Sequence, residues 1–159
     1  MHSALLGMGS NINPEYHLLQ ASMILRHQYP TSVFSHVYQS AAVGMQGDDF
    51  LNACCFVRGV PERDGLEQWL KEVEDRYFRD RSKGSWKPRT LDLDVLMYDE
   101  QVVDDDVYRY AHVFVPASDV ITLALPQDEQ AAVTRVGLDL VKGGGLSKVP
   151  PRLSSEGES

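Results

Sequence analysis

Asp92 and Asp94 alternate with Leu91, Leu93 and Val95, and this alternation constrains the chain more than any other feature. Side chains two apart on a strand point to the same side, so one face carries two carboxylates while the other buries leucine and valine. The chain must therefore build a sheet with one covered face and one face left for polar chemistry. Two carboxylates that close repel one another in a partly dry site, and a shared proton or a bound cation relieves them. Hard oxygen ligands suit Mg²⁺, which takes one or two carboxylates and completes its shell with phosphate oxygens and water. Immediately upstream, Arg76, Arg79, Arg81, Lys83, Lys87 and Arg89 surround Gly84 and Ser85. Guanidinium groups grip phosphate oxygens through paired hydrogen bonds, so an arginine loop beside a carboxylate pair reads as a lid for ATP.

The rest of the pattern supplies the sheet. Residues 3–8 are short and apolar and end at Gly9-Ser10-Asn11, a turn-forming trio, which predicts a central strand. Pro14 opens a helical pattern in which Leu18, Leu19, Ala21, Ile24 and Leu25 share a side, and Tyr29-Pro30 closes it. Residues 32–40 and 51–60 predict strands, joined by a loop over 41–49. A second helix is expected over 66–78, with Leu66, Leu70 and Val73 buried; a turn at Asp99-Glu100 then leads from the aspartate strand to Val102-Val103. Strand, helix, strand, strand, helix, strand is the α+β ferredoxin-like plan, an antiparallel sheet with helices packed on one face.

With 159 residues, 43% of them hydrophobic, the chain is expected to form one domain over 1–141 with an ordinary core; 142–159 has the composition of a disordered tail. The net charge of -8 argues against a nucleic-acid surface and leaves the basic loop as the place where an anionic substrate would be focused. Cys54 and Cys55, adjacent in an apolar run, read as buried small hydrophobes in a reducing cytoplasm. Nothing approaches the roughly 20 apolar residues that cross a bilayer, and the first residues read as a strand, without the charged head and apolar core of a signal peptide. No membrane or nucleic-acid partner is expected, and the chain is read as a monomer or a weak homo-oligomer.

Trp86-Lys87-Pro88-Arg89-Thr90-Leu91-Asp92-Leu93-Asp94 resembles the signature of the 6-hydroxymethyl-7,8-dihydropterin pyrophosphokinases, Trp-Gly-Pro-Arg followed by Thr/Ile-Asp-Leu-Asp, with lysine in place of glycine. Gly9-Ser10-Asn11, Tyr38 and Ser40 with Gly44, Phe50-Leu51-Asn52 and Glu74 follow the family's order, and the resemblance covers roughly residues 3–112. It implies transfer of pyrophosphate from ATP to the hydroxymethyl group of a reduced pterin in folate synthesis. Asp92 and Asp94 would then hold two Mg²⁺ ions, with Arg79, Arg81, Trp86 and Arg89 forming the catalytic lid and phosphate grip. ATP would be bound by Glu74, Arg81, Arg89, Val95 and His112. The pterin would lie among Ser40, Ala41, Val43, Phe50, Asn52, Trp86 and Phe114.

The chain departs from that pattern after His112. Several residues are missing, and no arginine occurs between His112 and Pro116. Phe114 can replace a second stacking aromatic only if His112 aligns with the missing arginine and not with the family's histidine; the two alignments exclude each other. Ser40-Ala41 replaces Thr-Pro in the pterin loop, and Lys71 a glutamine. The alternative function is therefore a weakly active or non-catalytic paralogue that binds pterin or nucleotide. An RNA-binding module on the same fold is disfavoured by the acidic charge and the lack of an aromatic-rich basic strand.

Overall fold

The computed structural model of the chain describes residues 2–40, 50–78, 90–121 and 133–140. Strand β1 (His2–Ser10) is central because both of its faces bury: Ala4, Leu6 and Met8 turn to one side and Leu5 to the other. Helix α1 (Pro14–Gln28) starts after Asn13, whose φ of 46° lies in the left-handed region that asparagine tolerates, and Pro14 takes the first helical position, where a missing N–H costs nothing. Leu18, Ala21 and Leu25 form its buried stripe, and Tyr29 ends it with the ring set edge-on against Trp69.

Where one strand is expected over 32–40, the structure has two, β2 (Val33–Phe34) and β3 (Val37–Ser40), each paired antiparallel with β4 (Phe50–Val60). Side chains fill the break between them. The Ser35 hydroxyl accepts the Cys54 N–H at 2.8 Å, where a ladder carbonyl would otherwise stand, and Asp119 Oδ2 accepts the His36 N–H at 3.1 Å.

Helix α2 (Arg63–Val73) begins three residues before the expected start, and after Val73 it widens into a single π-helical turn, Glu74–Phe78. Strand β5 (Asp92–Tyr98) turns at Asp99 and Glu100, both at positive φ, into β6 (Gln101–Val102), one residue earlier than predicted. The short helix α3 (Asp106–Arg109), helix α4 (Ala111–Val120) and strand β7 (Thr134–Val136) carry no counterpart in the expected element order. The loop over 41–49, the arginine stretch over 79–89 and the tail over 142–159 lie outside the described residues.

The sheet runs β6-β5-β1-β4-β3-β7 with β2 beside β4, antiparallel throughout. The order β5-β1-β4-β3 with α1 and α2 as its crossovers is the ferredoxin-like α+β arrangement that the sequence predicts. Both crossover helices cover one face, where Leu18, Leu25, Leu66 and Leu70 meet Leu6, Met8, Cys55 and Leu93. Each such leucine, withdrawn fully from water, stabilises the packed state by about 1.5–3 kcal/mol before entropy is counted. The α3–α4 pair adds a cover on part of the second face through Val107 and Ala117 against Leu5, Cys54 and Leu96. Among the described residues the remainder of that face is a cleft.

Candidate active site

The cleft has a volume of about 300 Å³, and its floor is the middle of the sheet. Register sets its layout. Gly9 of β1 lies opposite Asn52 of β4 on one side and Asp92 of β5 on the other, and Gly7 lies between Cys54 and Asp94 in the next row. Two inter-strand spacings of about 4.8 Å separate each β4 residue from its aspartate. The glycines keep the floor low. A Cβ on Gly9 would stand 3.2 Å from Asn52 Oδ1, and one on Gly7 would stand 3.2 Å from Leu96 Cδ1. Asn52 and Ser40 are both buried, and Asn52 Nδ2 donates to Ser40 Oγ at 2.8 Å, which fixes the amide plane. Phe50, half-buried, lies beside them in the cleft wall.

The other end is acidic. Asp92 and Asp94 share the cleft face of β5, as alternation requires, and Asp104 and Asp106 join them. A bulge brings the second pair into place. The β1–β5 register slips between Leu5 and Leu6, and the Leu96 carbonyl accepts the N–H groups of Val103 at 2.8 Å and Asp104 at 3.2 Å. Asp104 Oδ1 in turn accepts the Asp106 N–H at 3.0 Å and so fixes the start of α3. Burial, followed by the charges of Asp92, Asp104 and Asp106, raises the Asp94 carboxyl above its ordinary value, with Lys71 acting in the opposite sense. A second groove of about 610 Å³ shares Asp94, Asp104 and Asp106 with the cleft and is lined also by Lys71 and Arg109. Sequence reading missed Asp104 and Asp106; the acidic run at 104–106 was the available signal, but nothing local says that it folds back over β5.

Helix α4 forms the remaining wall. His112 stands in its first turn and stacks on Tyr110 with ring centroids 5.3 Å apart. Burial lowers the His112 imidazole below its usual value, opposed by the charge of Asp106. Asp119, near the end of α4, ties the helix to β3: its Oδ2 accepts from Tyr38 Oη at 2.7 Å as well as from the His36 N–H. Burial and this contact together raise the Tyr38 phenol.

Three expected site residues are placed elsewhere. Phe114, expected to stack on a pterin, is 1% exposed inside α4 and does not line the cleft, because helical spacing turns it away from the wall that His112 and Val113 present. Val95 belongs to the core under α1 and α2, as the strand's alternation demands, and borders the second groove, not the cleft. Glu74 is 5% exposed and outside both cavities; its Oε2 accepts the Leu93 N–H at 2.6 Å. Ser40, Phe50, Asn52, Asp92, Asp94 and His112 are brought together in the cleft. Ala41, Val43, Arg79, Arg81, Trp86 and Arg89 lie outside the described residues.

A ferredoxin-like sheet with a cleft laid across its central strands, amide at one end and carboxylates at the other, defines a small α+β protein with a polar cleft on one sheet face. The profile of the family described as 7,8-dihydro-6-hydroxymethylpterin-pyrophosphokinase (HPPK) matches residues 5–122, and the chain belongs to that family. It is 35% identical over 104 residues to the bifunctional protein FolKE of Lactococcus lactis subsp. lactis, covering 63% of this chain and 30% of that protein. It is 33% identical over 106 residues to the 2-amino-4-hydroxy-6-hydroxymethyldihydropteridine pyrophosphokinase of Synechocystis sp., covering 65% and 54%. The protein of the same name from Aquifex aeolicus is 28% identical over 131 residues, with 81% of each chain covered. The matched stretch thus spans only 30% and 54% of the lengths of the first two relatives.

Proposed function

We propose that the chain transfers pyrophosphate from ATP to 6-hydroxymethyl-7,8-dihydropterin, releasing AMP, in folate biosynthesis. The observation that carries this reading is the cleft itself, which sets a buried, oriented amide and an aromatic ring about two strand spacings from a carboxylate pair. Asn52 reads the edge of the heterocycle, with its oxygen over Gly9, and Phe50 packs on the ring. The adjoining groove takes the nucleotide, with Lys71 and Arg109 among its cations. In the reaction the hydroxymethyl oxygen forms a bond to the β-phosphorus, the bond from that phosphorus to the α–β bridging oxygen breaks, and AMP leaves as the hydroxyl proton passes to water. Little covalent work falls to the protein, whose share is positioning and charge.

The donor set suits Mg²⁺. Asp92 and Asp94 offer hard oxygens from one strand face, and the raised Asp94 carboxyl marks a place where added positive charge is favourable. Among the described residues no group of three or more His, Cys, Asp or Glu side chains is arranged to hold a metal unaided, and an ion on this pair would share its shell with ATP phosphates. When bound, Mg²⁺ would neutralise the charge that develops on the phosphates. We place the activity in the cytoplasm, carried out by a monomer or weak homo-oligomer; no helix of the described residues is long and apolar enough to cross a membrane.

AMP release from ATP and the pterin with Mg²⁺ tests the reading. Wild type should form AMP only when the pterin is present, and Asp94→Ala should lose roughly a thousandfold in rate, the several kcal/mol that a metal ion contributes. Folded wild type that binds ATP yet forms no AMP would instead make the chain a binding paralogue.

A further inference from the structure

We infer that Glu74 is a positioning residue for the Asp92 and Asp94 pair, holding the carboxylate-bearing segment of β5 from the open edge of the sheet. The inference rests on the proposed function only where it treats the pair as the metal site. Among the described residues, β5 is bonded to β1 along one edge, while its other edge meets β6 at Met97 and Tyr98 alone. Among the described residues the start of β5 is therefore an edge where alternate N–H groups have no strand to bond. Leu93 sits there, opposite Met8 of β1 and between the two aspartates, and its N–H donates to Glu74 Oε2 at 2.6 Å.

Alternation makes this single bond govern both carboxylates. In an antiparallel ladder the residues on either side of an outward-facing N–H turn their own backbone groups toward the neighbouring strand. Glu74 and β1 thus grip residues 92–94 from opposite edges, fixing the pleat from which Asp92 and Asp94 project. A second clasp stands just upstream. The carbonyl of Phe78, last residue of the π turn that Glu74 begins, accepts the Thr90 N–H at 2.5 Å and the Thr90 hydroxyl, and Ser10 Oγ donates to the Thr90 carbonyl at 2.5 Å.

The chemistry of position 74 supports a dedicated role. Glu74 lies four residues after Leu70 and one past the end of α2, in line with its buried stripe, and is 5% exposed. A carboxylate is almost never buried to that degree without a partner. An apolar side chain would fill the space and leave the Leu93 N–H unsatisfied. Groups that orient a metal ligand from behind typically change metal affinity or activity about 10–100-fold when removed.

The test compares ¹⁵N-labelled full-length wild type with Glu74→Gln, which keeps an acceptor, and Glu74→Met, which keeps the packing and loses it. Three readouts are taken: amide exchange at Leu93, the response of the Asp92 and Asp94 amides to Mg²⁺ with α,β-methylene-ATP, and steady-state kinetics. Glu74→Met should speed Leu93 exchange by about tenfold or more and raise the Mg²⁺ midpoint about 10–100-fold. It should also lower kcat while leaving the KM for pterin unchanged, and Glu74→Gln should recover most of each. The central amides of Leu6 and Val57 report whether the sheet is intact. Wild-type Leu93 exchange and Mg²⁺ midpoint in Glu74→Met would overturn the inference. So would a variant whose only change is a higher KM for ATP, which would make Glu74 a nucleotide contact. Both magnetic-resonance readouts work on a chain without turnover, so an inactive wild type would defeat the proposed function and leave this test standing. A wild type whose Asp92 and Asp94 amides ignore Mg²⁺ would overturn the metal-positioning role, even if Leu93 exchange still showed the bond.

Discussion

Asp119→Ala should loosen the wall of the cleft by a calculable amount. In the intact chain one carboxylate oxygen takes two hydrogen bonds, from Tyr38 Oη at 2.7 Å and from the His36 N–H at 3.1 Å, and so joins α4 to β3. Tyr38 is 9% exposed, so little water is at hand to replace the acceptor when it is removed. An abandoned buried donor costs about 1–3 kcal/mol, and a hydrogen bond to a charged group contributes about 1.5–3 kcal/mol net. Asp119→Ala should therefore lose about 2–4 kcal/mol of unfolding free energy. Tyr38→Phe removes the stranded hydroxyl together with its bond and should lose about 1–2 kcal/mol. The double variant should fall short of the sum by about 1–2 kcal/mol, the coupling expected of residues in direct contact. Urea unfolding with an unchanged m-value is the assay. In melting temperature each kcal/mol corresponds to about 2–4 °C for a chain of this size. Additivity within about 0.3 kcal/mol would refute the reasoning, because it would mean that Asp119 and Tyr38 do not meet in solution. Since α4 also carries His112 and Val113 into the cleft, Asp119→Ala should raise the KM for pterin even at temperatures where it stays folded.

Two further outcomes follow from the floor of the cleft. Folding raises the Asp94 carboxyl, so the contribution of Asp94 to stability is most favourable below the ordinary aspartate value of about 4 and is lost as pH rises through the raised folded value. Asp94→Asn should consequently be more stable than wild type at pH 7 by up to about 1 kcal/mol, solvent in the open cleft screening the rest, with the difference gone at about pH 3.5. Thermal melts at the two pH values check the sign, and equal or lower stability at pH 7 would contradict it. Gly9→Ala places a methyl group 3.2 Å from Asn52 Oδ1 and must push the amide aside. It should raise the KM for pterin by about tenfold, roughly the worth of one hydrogen bond, and leave the KM for ATP within about twofold.

What could be read from the sequence is what local spacing decides. The alternation around Asp92 and Asp94 specified which side of β5 is buried, and the Tyr29-Pro30 pair ended α1 because the residue before proline is driven out of helical geometry. Ser40, Phe50 and Asn52 could be placed near the aspartates only through the family resemblance, since the register that aligns Asn52, Gly9 and Asp92 is a property of three strands together. The break between β2 and β3 was hidden for the same reason: the groups that complete it, Asp119 and Cys54, lie 83 and 19 residues away along the chain. Glu74 is instructive in a different way. Its place on the stripe of Leu66, Leu70 and Val73 was visible, but a charged residue at such a position reads as surface until an edge N–H is found for it. Phe114 was assigned by alignment to a stacking role, and helical geometry turned it inward.

The two glycine rows of β1 make the sheet a ruler. Inter-strand spacing is fixed by backbone hydrogen bonding and cannot be tuned by side-chain substitution, so the gap from Asn52 across Gly9 to Asp92 is a length set by the backbone. On the proposed function, a flat heterocycle gauged from the Asn52 end would present an arm of only one length at the carboxylate end. Discrimination between acceptors that differ by a single methylene would then be written into the pleat, ahead of any contact with the arm itself.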